Sequence, residues 1–327
     1  MSGSLLLKPP DHDIFSFTRD LEKGGMGMFQ RIVRGLAFIG CGVLAWGGVS
    51  AEAAFRNYAE IQQGMRDLAA KYPATAQIFT LTKNDSGQTI EGLRIGSGSV
   101  RNLVVATHHG NEYGSTEVAM AFAASVAQAP LTGQTLFVIP VLNIPGYNAR
   151  SRWEPLQGRS LDPNRDYPGP CGTDGPFRLK STRALADFLE REQIVASATL
   201  HTYSPAVVYP WGMSTHDLST PYDDLFAGLC KAATVESGYA SGNNTQLIYP
   251  ADGTFEDYAF WKHGVWSILF ELGYSHNPNP GAIDQMVKVN VPGLRRMFEQ
   301  TPRERAERHG FYGKCDVRLK AFDLRTE

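Results

Sequence analysis

From residue 58 to residue 299 the chain switches repeatedly between two periods of apolar spacing, and that alternation restricts it to one fold class. YAEIQQGMRDLAAKY (58–72) carries apolar residues at helical spacing, whereas QIFTLTK (77–83) and TIEGLRIGS (89–97) read as strands joined by the turn Asn84-Asp85-Ser86-Gly87. A strand NLVVAT (102–107), a helix over 115–128, a strand LFVIPVLN (136–143), a helix over 181–192 and a strand SATLHTY (197–203) follow. A helix over 222–236, a strand WSILFEL (266–272) and a helix over 283–299 complete the series. Helices interleaved with strands predict an α/β fold: a mixed, mostly parallel central sheet flanked by helices, in a single domain. No repeat, low-complexity tract or linker divides it.

Charge narrows the partners. With 31 basic and 33 acidic residues the formal net charge is −2, which gives no overall attraction for the phosphates of nucleic acid. Small molecules and peptides fit better. The sequence carries no signal of oligomeric state.

The N-terminal residues read as processing signals. Arg31 and Arg34 precede an apolar run from Leu36 to Val49, and Ala51 and Ala53 supply an A-x-A cleavage site, so residues 26–53 have the pattern of a secretory signal peptide. The run is shorter than the roughly 20 residues of a membrane span, which predicts a mature chain without a transmembrane segment and a periplasmic or secreted location. An uncleaved anchor is the alternative. Residues 1–25 are an upstream extension with no expected function, translation starting at Met26 or Met28. Of the mature chain's cysteines, Cys171, Cys230 and Cys315, an odd number cannot all pair, and Cys230 in LFAGLCKAA is the one expected to stay free.

In α/β sheets, ligands bind beyond the carboxyl ends of the strands. His109 and Glu112 follow NLVVAT, His201 lies near the end of SATLHTY, and Glu271 near the end of WSILFEL. Zinc takes imidazole and carboxylate ligands, and a catalytic site uses three of them plus an open position. A His-x-x-Glu hook with a distant histidine satisfies that count. Alone, the hook is weak and His201 would be an ordinary core histidine; the convergence is what matters. Spacing from Glu112 selects His109 as ligand, and strand alternation puts His108 on the opposite face, as a residue that supports the ligands or packs in the core.

Taken in order, the motifs resemble the zinc carboxypeptidase family typified by carboxypeptidases A and B. They are His109-Gly110-Asn111-Glu112, Asn143-Ile144-Pro145-Gly146-Tyr147, Asn164-Arg165-Asp166-Tyr167, LHTYSPAVVYPWG (200–212) and IYPADGTFEDYAFWKHGVWSILFEL (248–272). The resemblance spans nearly all of residues 55–300 and implies a catalytic domain over 54–300, one Zn2+ per chain on His109, Glu112 and His201, and Glu271 as the general base. It further implies that Asn164 and Arg165 hold a substrate's terminal carboxylate, that Tyr249 closes over it, and that Arg152 stabilises the oxyanion, with Arg150 as the other candidate. A structural salt bridge is the alternative for Arg165, and a solvated loop position for Arg152.

Glu256 falls where the family places the base of the pocket for the last side chain. A carboxylate there implies lysine, arginine or diaminopimelate ends, and so peptide or murein-peptide substrates. Thr254 and Asp257 also make a capping-box-like helix start, in which an acid at position 256 needs no ligand. Asn111 stands where the animal digestive enzymes often carry arginine, and His-Gly-Asn-Glu also resembles the aspartoacylase and succinylglutamate desuccinylase branch. An N-acyl amino-acid deacylase and a non-catalytic zinc or peptide-binding protein are thus the competing readings. The basic tail 301–327 lies beyond the resemblance and either packs on the domain or binds a surface.

Overall fold

Strands of four to eight residues dominate the centre of this computed structural model, which describes residues 55–171, 176–213, 216, 218–307, 311 and 313. The expected extension 1–25 and signal peptide 26–53 lie outside those residues, as does Cys315. The strands are β1 (Ala76–Lys83), β2 (Thr89–Ile95), β3 (Val100–Ala106), β4 (Gln134–Ile139), β5 (Glu154–Leu156), β6 (Arg159–Leu161), β7 (Ala196–His201), β8 (Ala206–Tyr209), β9 (Ala240–Asn243) and β10 (Trp266–Glu271). The helices are α1 (Tyr58–Lys71), α2 (Tyr113–Gln128), α3 (Ile144–Ala149), α4 (Lys180–Arg191), α5 (Asp223–Ala233), α6 (Asn244–Leu247), α7 (Phe255–His263) and α8 (Pro280–Gln300).

Eight strands form one sheet in the order β1-β2-β4-β3-β7-β10-β8-β9, and β5 and β6 pair only with each other. The central four, β4-β3-β7-β10, are parallel. Antiparallel pairings attach β1 and β2 on one side and β8 on the other. This is the mixed, mostly parallel sheet read from the sequence. Helices cover both faces: Phe188 of α4 packs on Phe79 and Phe137, while Phe122 of α2 stacks on Phe298 of α8. Buried on both sides, β4 and β7 carry no exposed residue, which is why they lack polar alternation.

The connection from β3 leads through α2 to β4 on one flank, but β7 returns on the other flank of β3. The carboxyl ends of β3 and β7 therefore flank a topological switch point, where the diverging connections leave a crevice. Among the described residues no helix is long and apolar enough to cross a membrane. Cys171 is disulfide-bonded and Cys230 is a buried free thiol. The start of the basic tail packs on the domain: the Ala306 amide donates to Gly264 O at 2.8 Å, and Trp266 Nε1 donates to Glu304 O at 2.8 Å.

The β5–β6 hairpin joins Arg152 to Asp162, and it is anchored by Glu154, whose fully buried carboxylate accepts from Ser181 Oγ at 2.7 Å. Burial pushes this carboxyl from its ordinary 4.5 up to about 7; the Ser181 bond opposes the rise, and Asp85 and Asp166 add to it. Between about pH 4.5 and 7 the unfolded chain loses this proton before the folded one does, so stability falls as pH rises through that window and stays lowered above it. Thermal melts of wild type and Glu154→Gln from pH 4.5 to 8 should show that part of the loss diminished in the variant.

Candidate active site

Each ligand-bearing segment reaches the crevice through a local device. At the end of β3, Thr107 takes a left-handed φ of 60°, rare for a β-branched residue. Its buried hydroxyl secures the bend through Thr116 Oγ1 at 2.6 Å and Pro140 O at 3.2 Å. The bend ends the strand at Ala106, one residue earlier than expected, and turns the next residues into the crevice. Gly110 follows because the chain runs against α3: a Cβ there would meet Gly146 C at 2.0 Å. Glu112 then sits at the N-cap of α2, where the helix dipole favours its negative charge.

His201 closes β7, and Glu271 is its register partner across the parallel β7–β10 pair. The sheet thus places Glu271 and the ligand His201 side by side. His109 Nδ1 lies 2.7 Å from Glu112 Oε1 and 3.2 Å from His201 Nδ1. His201 Nδ1 is 2.9 Å from Glu112 Oε2, yet that oxygen has no partner in hydrogen-bond geometry. All three residues are buried.

These atoms fit a zinc ion. Two nitrogens on one tetrahedral zinc, each about 2.0–2.1 Å from it, sit about 3.3 Å apart, and the observed separation is 3.2 Å. Of the eight buried side-chain atoms lacking a partner among the described residues, five belong to this region: His108 Nδ1, Asn111 Oδ1, Glu112 Oε2, His201 Nε2 and Glu271 Oε2. The protein alone leaves the site's hydrogen bonding unfinished. His109, Glu112 and His201 hold the Zn2+.

Asp162, absent from the expected site, orients this set. Its Oδ1 accepts from His109 Nε2 at 3.0 Å, which fixes the ring so that the Nδ1 lone pair faces Glu112 and His201. Its Oδ2 accepts from Arg152 Nε at 3.0 Å and Nη2 at 2.7 Å. In sequence this aspartate looks like a local cap, because Oδ1 also accepts from the Asn164 amide at 2.9 Å. Its position two residues before Asn164 was the available signal.

Burial works against charge on His109, but Glu112 and Asp162 prevail and raise its pKa. Burial likewise favours neutral Glu112 and Asp162, but His109 and His201 beside Glu112, and His109 and Arg152 beside Asp162, override it and hold both carboxyls below their ordinary ranges. Glu271 goes the other way: burial raises it well above its usual range, Glu112 adds to the rise, and Arg152 opposes it.

Of the two candidate arginines, the structure brings Arg152 to the cluster, with Nη1 3.2 Å from His109 Nδ1. Arg150 points elsewhere, over the rings of Phe55 and Tyr113. Asn164 is buried beside Arg165, whose Nη2 donates to Tyr249 OH at 3.0 Å. Glu256 is buried against Thr199 and Asn164. The strand has ended before His108, so alternation does not govern it; its ring stacks on the ligand His201, with centroids 5.5 Å apart and Nε2 3.1 Å from Tyr167 OH, which is the supporting one of its two expected roles.

A zinc carboxypeptidase family model matches residues 61–293. The chain belongs to the zinc carboxypeptidase family. Carboxypeptidase B from Astacus astacus is 26% identical over 253 residues, covering 64% of this zinc carboxypeptidase and 83% of the relative. Carboxypeptidase B from Homo sapiens is 32% identical over 169 residues, covering 42% of this chain and 40% of its own. Against the human relative the match thus spans less than half of that protein's length. The structure of bovine thrombin-activatable fibrinolysis inhibitor in complex with tick carboxypeptidase inhibitor superposes with a TM-score of 0.68 at 18% identity. That match covers 76% of this chain and 97% of the bovine one, and it shows the shared fold.

Metal analysis tests the ligand set. Wild type should hold one zinc per chain and His201→Ala far less, whereas Asp162→Asn should keep the ligands but bind zinc about 10–100-fold more weakly. Unchanged zinc in His201→Ala would remove that residue from the set.

Proposed function

We propose that this zinc carboxypeptidase removes C-terminal residues with positively charged side chains, lysine, arginine or diaminopimelate, from peptides, murein stem peptides among them, and acts after export. One observation carries the specificity: Glu256 is a buried carboxylate whose partners among the described residues are the neutral Thr199 and Asn164, and Asn164 adjoins Arg165, whose guanidinium donates to Asn164 O and Tyr249 OH. A substrate bringing a terminal carboxylate and a side-chain cation supplies a counterion to each of Arg165 and Glu256. Similarity to carboxypeptidase B sequences supports this reading, and the apolar run within residues 26–53 supports export.

The chain's own groups then divide the work. Arg165 and Asn164 bind the terminal carboxylate through a planar fork and an amide. Tyr249, already in contact with Arg165 and half exposed, is placed to cover the bound end. Zinc supplies a Lewis acid that activates water and polarises the scissile carbonyl. Glu271 takes the proton from the attacking water and delivers it to the departing amine. Arg152, braced by Asp162, faces the developing oxyanion. Contact with a carboxylate is also what keeps Arg152 from being a solvated loop residue.

The helix-start alternative for Glu256 is only half met. Thr254 does cap α7 by accepting from the Asp257 amide at 3.4 Å, but Asp257 turns to the Gly212 amide at 3.0 Å and Glu256 turns to Thr199.

Two substitutions check this account. Glu271→Gln should keep its zinc while turnover falls by about 10² or more. Glu256→Gln should lower kcat/KM for lysine-ended peptides by about tenfold or more relative to phenylalanine-ended ones. Equal losses on both substrates would assign Glu256 to helix stability alone.

A further inference from the structure

β7 contributes more than a zinc ligand. Thr199 and His201 are two residues apart on it and so project from the same face of the sheet, separated by about 6.6 Å of strand. Thr199 is completely buried, and its hydroxyl donates to Glu256 Oε1. On that face Thr199 lies between Ser197, whose hydroxyl donates to Ser267 Oγ at 2.9 Å, and His201, while Ala198 and Leu200 face the other side of the sheet. A buried hydroxyl carries a desolvation cost that only a partner offsets, and here the partner is the pocket carboxylate.

From the other side Asn164 braces the same carboxylate. The Phe255 amide donates to Asn164 Oδ1 at 2.9 Å, which fixes the amide orientation and leaves Nδ2 toward Glu256 Oε2 at 3.5 Å. Glu256 is therefore held between a rigid strand and the loop carrying the carboxylate clamp, with each oxygen facing one of them.

We infer that Thr199 is a positioning residue for specificity, fixing the Glu256 carboxylate at a set distance from the zinc-binding end of β7 so that one strand sets the spacing between scissile carbonyl and side-chain charge. The inference rests on the proposed role of Glu256 in substrate recognition. A site measured out on a strand holds its geometry better than one built on loops alone, and a substrate whose cation reaches that fixed point gains the full interaction.

Thr199→Val keeps the shape of the side chain but removes its donor, leaving Glu256 Oε1 unpaired. Steady-state kinetics on a lysine-ended and a phenylalanine-ended peptide, with zinc content measured for each variant, test the role. The kcat/KM ratio between the two peptides should fall about tenfold, through a raised KM for the lysine-ended peptide, and Thr199→Ser, which restores the donor, should recover it. An unchanged ratio in zinc-replete Thr199→Val, or no recovery in Thr199→Ser, overturns the inference. If Thr199→Val loses zinc or unfolds, Thr199→Ala is read by the same criteria. Glu256→Gln measured alongside separates the two levels. If it collapses the ratio while Thr199→Val does not, the positioning role alone falls; if it leaves the ratio intact, the specificity reading falls and the inference with it.

Discussion

Two imidazole nitrogens 3.2 Å apart, next to a carboxylate in a buried crevice, repel one another unless positive charge lies between them. The surrounding architecture holds that arrangement in place. His201 ends a strand buried on both faces, His109 follows a strained bend pinned by three hydroxyls, and Glu112 starts a 16-residue helix. None of these positions can relax without disturbing the sheet or α2, so the ligands remain close in spite of their mutual repulsion. A dication converts that strain into binding free energy.

Asp162 ties this centre to the rest of the site. One oxygen sets the tautomer and direction of His109, and the other holds Arg152 beside the metal ligands. The same residue starts the turn carrying Asn164 and Arg165. The zinc ligand His109, the guanidinium of Arg152 and the turn of Asn164 and Arg165 are therefore mechanically linked through one carboxylate. The hairpin 154–161 closes the loop between its two ends, and buried Glu154 makes that closure sensitive to pH.

The sheet and the metal ligands could be read from the sequence because each left a periodic or local trace. Apolar runs such as WSILFEL mark buried strands, and His109 to Glu112 spans one turn. β8 and β9 left little trace: they are four residues each, and the segment of β9 is the polar Ala240–Asn243. Strand limits shifted where a turn intervened, as at Gly96 with φ of 85° after β2 and at Thr107 after β3. After the second of these turns strand alternation no longer applies, and His108 lies against the ligand His201. Asp162 and Thr199 stayed hidden for another reason. Their roles depend on partners 53 and 57 residues away, and an isolated aspartate or threonine announces no such partner.

X-ray absorption at the zinc edge of the purified protein tests the central claim most directly, because it reads the atoms around the metal without relying on activity. The account predicts a first shell of nitrogen and oxygen scatterers at about 2.0–2.2 Å, with the multiple-scattering signature of two imidazoles that drops to one in His201→Ala. Sulfur scatterers at about 2.3 Å, or two imidazoles persisting in that variant, would contradict it.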